Sequence, residues 1–452
     1  MNAASFHILQ QVVLLLALVT VAAAVAIYLL MSFQNRRLLS QQARKAALHN
    51  ELVPPLTLHT LHSLWLRCRP AEREVLEEIL IEQHRVAEPE EAKEMEKFLL
   101  AFGIYARWLA ELKSGQAPRR ARAALKLGHL RDPRGVKALV AASEDRSAQV
   151  QLAVTLSLGR LRDPGGLKAL THLATCPGMT VPHLTLAASL AACAEQSPHD
   201  LVELLRAPMV RTRVIGAWAL SEVADARVLP ALATAAGDPE PEVRAKVARA
   251  LARVSGLGSV EILKRLAHDR IWYVRVRALT ALGKHGAPSD QETMLQGLDD
   301  LVPEVRARAA FALRQVWGMD PQIVAKVLTT RSRRSFNSLI SEWDRAGFFY
   351  HLVTGLNTRD MPRFVATQGL LRMLISTGVT QSLASLVLGF PDIKVRLRLV
   401  RLLLSSPGPG LVADLEALVR EPECDARVAN AIRKALIPVG VAPSPDLHAE
   451  PA

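Results

Sequence analysis

The chain is poor in the residues that build disulfide-rich, zinc-binding and strand-rich folds. Aromatic residues make up only 4% of its 452 residues. Its four cysteines, Cys68, Cys176, Cys193 and Cys424, are scattered and form no CxxC pair. This spacing argues against a zinc site or a disulfide framework and favours buried free thiols in a reducing compartment. Valine and isoleucine do not alternate with polar residues as they do in strands, so we predict an all-α chain with an alanine and leucine core.

Motifs that carry chemistry are missing as well. The sequence has no Gly-rich phosphate loop, no GxSxG, no HExxH and no carboxylate pair that stands apart from a repeating pattern. We therefore expect no catalytic residue, no cofactor and no metal site, and we expect that the protein is not an enzyme.

Charge is absent from a long amino-terminal run. No charged residue lies between Ile8 and Asn35, and only Thr20 and Tyr28 carry a polar group between Val12 and Met31. Twenty such residues in a helix span a hydrocarbon core of about 30 Å. A cleaved signal peptide is the alternative, but it would need a basic start and a shorter apolar core. We predict a retained transmembrane helix over residues 8–33.

The charges that follow this run predict its orientation. Arg36, Arg37, Arg44 and Lys45 come just after it, and no basic residue precedes it. The positive-inside rule then predicts a single-pass protein of the inner (plasma) membrane, with its amino terminus outside and the rest in the cytoplasm. The same four residues either lie on anionic headgroups or form an ordinary stop-transfer flank.

The formal net charge of the whole chain is +13, and arginine supplies most of it. Such a balance favours anionic partners, which include nucleic acid, acidic lipids and acidic protein surfaces.

A related line of sequence recurs every 31 residues, beginning at Asp238, Asp269 and Asp300. A fixed period of this length is typical of a solenoid, whose units bury their apolar faces only by stacking. Within each unit an apolar stripe predicts a second helix. The predicted first positions of that stripe are Val150, Leu184, Val210, Val243, Val274, Val305, Val395 and Val428.

A turn motif accompanies the repeats: Leu127-Gly128-His-Leu130-Arg-Asp-Pro133 recurs 31 residues later at Leu158–Pro164. This turn and the Asp-x5-Arg line resemble HEAT repeats, specifically the short bacterial type also seen in phycobilin lyases. The resemblance implies a right-handed α-solenoid of helical hairpins, here preceded by one transmembrane helix, and says little about activity. It also implies a structural ladder between adjacent repeats, made by Asp238, Arg244, Asp269, Arg275, Asp300 and Arg306.

These features predict a domain order. A short tail (1–7) and the transmembrane helix (8–33) precede a basic juxtamembrane segment (34–53). A helical cap (54–115) of three helices, the third over Glu90–Lys113, leads into a HEAT-like array (116–440) with divergent repeats at about 320–390. The last residues (441–452) form a disordered tail.

Besides the arginines of the ladder, the repeats carry a further column of basic residues. This column and an aromatic pair are the candidate contact residues. Each column member lies three residues after a predicted stripe start, and the column is either a solvated helix face or a binding surface. Trp272 and Tyr273 occupy positions that are Pro and Glu in the neighbouring repeats, which is typical of an interaction hot spot. The predicted partner-binding residues are Arg213, Lys246, Trp272, Tyr273, Arg277, Arg308 and Arg398.

Three functions fit these observations. The first is a membrane-anchored cytosolic scaffold or adaptor that binds a protein with an acidic face. The second is a basic solenoid that binds nucleic acid or another polyanion, which the membrane anchor disfavours. The third, by family analogy alone, is an enzyme similar to the chromophore lyases.

Overall fold

The structure is a computed structural model that describes residues 45–52, 56–130, 132–254, 256–405 and 411–436, with isolated positions at 23, 28 and 31. The secondary structure of these residues consists of α-helices and 3-10 helices, and they contain no strand. Within the same residues, no helix is both long and apolar enough to cross a membrane. The predicted transmembrane helix (apart from positions 23, 28 and 31), Arg36, Arg37, Arg44 and the tail 441–452 lie outside the described residues.

Contacts divide the chain into two compact units at Ser197 and Pro198. The first unit opens with a cap of short helices. A third helix predicted over Glu90–Lys113 is in fact two, because Gly103 adopts a left-handed φ of 67° between them. The cap helices are α1 (Leu58–Arg67), α2 (Pro70–His84), α3 (Pro89–Ala101) and α4 (Ile104–Glu111).

The rest of the first unit consists of helical hairpins in which second helices pack on second helices. Asp132 starts one first helix by accepting a hydrogen bond from the Arg134 amide at 2.7 Å, which satisfies a free helix-end donor. These helices are α5 (Ala117–Leu127), α6 (Pro133–Ala142), α7 (Ala148–Leu161), α8 (Leu167–Thr175) and α9 (His183–Cys193).

The second unit continues the hairpin pattern after a 3-10 helix over Pro198–Arg206. Its first half is regular, with α10 (Val210–Val223), α11 (Leu229–Ala235), α12 (Pro241–Leu251), α13 (Leu257–Leu266), α14 (Trp272–His285), α15 (Gln291–Gly297) and α16 (Pro303–Trp317). Its second half is less regular, with α17 (Pro321–Thr330), α18 (Arg333–Arg345), α19 (Phe348–Thr354), α20 (Met361–Ser376), α21 (Gln381–Gly389), α22 (Ile393–Ser405), α23 (Leu411–Arg420) and α24 (Ala426–Leu436).

The apolar stripe predicted for α12, α14 and α16 is the contact face between these helices. Its residues are at most 1% exposed: Val243, Val247, Ala250, Leu251, Val254, Val274, Ala278, Ala281, Leu282, Val305, Ala309, Ala312 and Leu313. Small residues let the helix backbones come close. A Cβ on Gly283, inside α14, would lie 2.9 Å from the Cα atom of Ala312. Gly283 therefore allows α14 and α16 to pack closely.

Two of the predicted stripe positions are wrong, because their side chains are exposed. Leu184 is 56% exposed and Val210 is 43% exposed. Leu186 and Thr212 are buried near the start of the same helices. A polar threonine at the buried position of α10 hid the correct register from a search for apolar residues.

Candidate interaction surface

Three arginines of the second unit join neighbouring repeats. The Nε atom and one terminal nitrogen of each arginine donate to both carboxylate oxygens of an aspartate 25 residues later, at 2.6–3.1 Å. The other terminal nitrogen donates to the carbonyl six residues earlier, at 2.8–3.2 Å. This two-pronged geometry is the strong form of the ion pair. The pairs are Arg213–Asp238, Arg244–Asp269 and Arg275–Asp300.

Each aspartate also orders the turn before the next second helix. Asp269 accepts a hydrogen bond from the Ile271 amide at 2.9 Å, and Asp300 accepts one from Val302 at 2.8 Å. Burial favours a higher pKa for Asp269, but the Arg244 guanidinium and the Ile271 amide hold its pKa below the usual value. One carboxylate therefore links two repeats and fixes the turn between their helices.

The ladder ends at Arg306. Its terminal nitrogen donates to the Asp300 carbonyl at 2.9 Å, but its Nε atom donates to the Ser338 hydroxyl at 3.1 Å, and no aspartate follows. The place of the next aspartate, 31 residues after Asp300, is taken by Arg331. Arg331 instead donates back to Asp299 at 2.7 Å and to Glu292 at 2.6 Å.

The first unit contains a pair of the same kind that the sequence analysis missed. Arg120 donates to Asp145 at 2.7 and 3.0 Å and to the Ser114 carbonyl at 2.8 Å. Its Arg–Asp separation of 25 residues equals that of the other pairs, so a search for this spacing finds it. In the next repeat Gln151 replaces the arginine, donating to the Asp145 carbonyl at 2.9 Å and accepting from Thr180 at 3.0 Å.

Arg213 is not part of an exposed basic column, as predicted, but of the ladder. Because Thr212 rather than Val210 is the buried position, Arg213 lies one residue after it, where Arg244 and Arg275 lie in their own repeats. Its side chain is 13% exposed and bound to Asp238. Arg213 is therefore unavailable to a partner unless this pair opens.

Lys246, a predicted partner-binding residue, is also held within the fold. Its Nζ atom lies 3.1 Å from Glu242 and 3.8 Å from the centre of the Trp218 ring, and its side chain is 17% exposed. The cation covers the indole face, which is a favourable contact for a lysine stem and its charge.

Trp272 and Tyr273 form the aromatic pair in the first turn of α14. Trp272 is 45% exposed, Tyr273 is half-buried, and their ring centres are 5.9 Å apart in an edge-to-face arrangement. Burial raises the pKa of Tyr273, and the carboxylates of Glu242 and Glu240 add to this effect. The pair therefore presents an exposed indole beside a half-buried phenol.

The three remaining arginines of the predicted column differ from one another. Arg277 is exposed, and no hydrogen bond or ion pair joins it to another described residue. Arg308 is half-buried with its guanidinium 5.3 Å from the Phe311 ring centre. Arg398 donates to the Leu356 carbonyl and lies 5.8 Å from the Phe364 ring centre. Only Arg277 offers a fully uncommitted cation.

Lys45 is the one predicted membrane-surface residue that the structure describes. Its Nζ atom lies 2.7 Å from Glu82 on α2, and Leu48 and Leu52 are buried just after it. The helical residues 45–51 are thus packed in the first unit. Within the described residues, no group of three or more His, Cys, Asp or Glu side chains could hold a metal ion.

Three stretches, residues 105–181, 198–271 and 237–314, match the family described as HEAT repeats. The chain contains HEAT repeats. The matched stretches include the Arg120–Asp145 pair and the ladder from Arg213 to Asp300, and they stop before α17. No curated protein matches the chain.

The solved structures that the chain resembles have low sequence identity to it and low TM-scores. An engineered protein is 19% identical, with 74% of this chain and 98% of that chain covered and a TM-score of 0.31. The karyopherin Kap121p is 12% identical over 84% of this chain and 50% of its own, with a TM-score of 0.41. The CpcE–CpcF complex of phycocyanin lyase from a Nostoc species is 18% identical over 59% and 92%, with a TM-score of 0.26.

Proposed function

We propose that this protein is a scaffold that docks another protein on the surface formed by Trp272, Tyr273 and Arg277, with Arg308 on the adjacent helix α16. The observation that carries this proposal is the exposure of Trp272 at a position where Pro241 and Pro303 begin the neighbouring second helices.

The exposure of Trp272 has a physical cost. Leaving a large apolar side chain fully in water forgoes about 1.5–3 kcal/mol relative to burying it, and Trp272, which is 45% exposed, forgoes about half of that. Neither sibling position carries an aromatic residue, so the repeat fold itself does not require one. Tryptophan and tyrosine are enriched among residues that dominate binding energy, where they bury a large area at little entropic cost.

Arg277 gives the surface its charge preference. It lies four residues after Tyr273, so both side chains occupy the same face of α14. An uncommitted arginine on the face of Tyr273 suits a partner that presents an acidic group next to an apolar side chain. The ladder arginines contribute little to such recognition, because aspartates already neutralise them.

We further propose that a membrane helix tethers the scaffold on the cytoplasmic side of the inner membrane. The uncharged run before Asn35 and the basic residues after it support this proposal. A protease added to intact spheroplasts should then spare the repeats; their digestion would contradict the orientation.

A polyanion such as nucleic acid is the alternative partner, which the net charge of +13 favours. Neutralising phosphates releases counterions, so affinity for nucleic acid would fall linearly with salt on a double-logarithmic plot. A protein partner held by an aromatic anchor should show a much weaker dependence on salt.

Affinity purification of the full chain from gently solubilised membranes tests the proposed function. The wild type should recover a specific protein that the triple variant Trp272→Ala, Tyr273→Ala, Arg277→Glu loses by at least tenfold, measured by quantitative mass spectrometry with and without nuclease.

The matched control carries Leu66→Ala and Arg119→Glu, which change an apolar side chain that is 64% exposed and an exposed arginine in the first unit. Recovery from this control should equal the wild type. Equal recovery from the triple variant, or loss of the recovered material on nuclease treatment, would contradict protein docking at Trp272.

A further inference from the structure

The irregular half of the second unit contains a surface cavity of about 250 Å³. Its apolar walls come from Met319, Phe348, Leu352 and Ala366, on three separate parts of the chain. Phe348 and Leu352 are buried, whereas Ala366 is exposed. The cavity is therefore open to solvent along α20. It is smaller than the roughly 300–1,000 Å³ typical of small-molecule sites, so a single inserted side chain suits it better than a cofactor.

The open side of α20 is apolar beyond the cavity itself. Met361 is 62% exposed and Val365 is 60% exposed. These two residues and Gly369 are spaced four apart, so they lie along one face of the helix. Ala366 and the cavity lie next to that face.

No contact within the described chain explains why position 369 is a glycine. It lies in the interior of α20, and a Cβ placed on it would meet nothing within 4 Å. A glycine in a helix interior costs about 0.5–1 kcal/mol relative to alanine. Where this chain uses helical glycines for packing, the neighbour is close: a Cβ on Gly159 would lie 2.5 Å from Ser189 and one on Gly283 would lie 2.9 Å from Ala312. The exposed Gly369 would permit an equally close approach by a helix from outside.

The segment that includes α20 is strongly basic. The sequence from Arg359 to Ser405 contains seven basic and two acidic residues. Arg359, Arg363 and Arg372 are exposed on or beside α20, and none of them has a side-chain bond to another described residue. Arg363 also lines the cavity, as does the exposed His351.

We infer that this face of α20 is a second docking site, and that it binds an acidic amphipathic helix of a partner protein with one apolar side chain in the cavity. The row of Met361, Val365 and Gly369 fits the apolar stripe of such a helix, as in helix-in-groove recognition. Its acidic residues meet Arg372, which lies on the same face three residues after Gly369, and Arg363, which lines the cavity; these contacts raise the association rate and select against basic helices. The site is separate in residues from Trp272 and does not depend on the proposed function.

Selection from a display library of 18-residue helical peptides tests the inference on the full chain. All peptides carry apolar residues at i, i+3, i+4 and i+7, and half carry Glu and half Lys on the polar face. Acidic peptides should be enriched. An enriched peptide labelled with fluorescein should then lose at least tenfold in affinity for both Arg363→Glu and Ala366→Trp, measured by anisotropy.

Two control variants make the result specific. Arg420→Glu reverses an exposed arginine on α23 and should change the affinity less than twofold, as should Trp272→Ala. Circular dichroism should show unchanged helix content in every variant. Absence of acidic enrichment, or undiminished affinity in Arg363→Glu and Ala366→Trp, would overturn the inference. Tighter binding of a single-stranded oligonucleotide, or of decanoate, to the same residues would overturn it in favour of a polyanion or a small apolar anion.

Discussion

The regular repeats from α10 to α16 and the irregular ones from α17 to α22 hold their helices together by different means. In the regular stretch, arginine–aspartate pairs with a constant separation of 25 residues fix each repeat to the next. In the irregular stretch, Trp343 donates to the Ala310 carbonyl at 3.1 Å and packs edge-on against Phe348 at 5.5 Å. The first arrangement repeats without gaps. The second leaves a cavity beside α20.

The largest expected effect concerns the ladder. Removing one partner of a buried ion pair leaves the other charge uncompensated and typically costs about 3–5 kcal/mol. The Arg244 and Asp269 side chains are each 9% exposed, so Arg244→Ala should lower the local opening free energy of α12 and α14 by about 3 kcal/mol. Native-state hydrogen exchange measures this quantity.

Arg306→Ala is the matched control for that change, because Arg306 bonds a serine instead of an aspartate. We expect a cost of about 1 kcal/mol, the value of an ordinary hydrogen bond. Equal costs for the two arginines would mean that the ladder contributes no more than the irregular contacts.

The next effect concerns helix approach in the regular stretch. Gly283→Ala should destabilise the chain by about 1–3 kcal/mol, because its Cβ would press on the Ala312 backbone and overpack the interface. Thermal unfolding followed by circular dichroism would detect this loss. An unchanged melting temperature would show that α14 and α16 can separate freely.

Acid should weaken the ladder selectively. The folded pKa of Asp269 is held below its usual value by Arg244 and the Ile271 amide, despite burial. Its stabilisation is therefore complete above the unfolded pKa of about 3.9 and is lost as the pH falls through the folded pKa. The difference in melting temperature between wild type and Asp269→Asn should shrink between pH 7 and pH 3. A difference that stays constant would exclude a role for the charged carboxylate.

The smallest effect has the opposite sign. Gly369→Ala should stabilise the chain by about 0.5–1 kcal/mol, since the Cβ meets nothing and the unfolded chain loses freedom. The same substitution should weaken acidic-peptide binding at α20. Destabilisation by Gly369→Ala would show that the irregular stretch packs this face internally, which would remove the reason for a docking helix.

The sequence predicted the register of the repeats correctly where a buried apolar residue is followed directly by an arginine. In α12, α14 and α16 a valine marks the buried start and an arginine follows it, so both register and stripe were correct. In α10 the buried start is Thr212, and the register moved by two residues, which misplaced Arg213.

Contacts across repeats were harder to predict, because they depend on which side chain of a neighbour is within reach. Lys246 finds Trp218 in the preceding second helix, and Gly283 accommodates Ala312 in the following one. The exposure of Trp272 was predictable from its siblings at the same position. The cavity beside α20 was not, since its walls come from separate parts of the chain that no period relates.

The central claim, that the Trp272 surface holds a protein partner, is tested most directly by photo-crosslinking in living cells. The photoreactive amino acid p-benzoylphenylalanine would replace Tyr273 in the full chain, with Leu66 replaced in a parallel chain. We predict one discrete, nuclease-resistant protein adduct from position 273 that disappears when Arg277→Glu is added and is absent from position 66. The same adducts from both positions, or none from position 273, would contradict the claim.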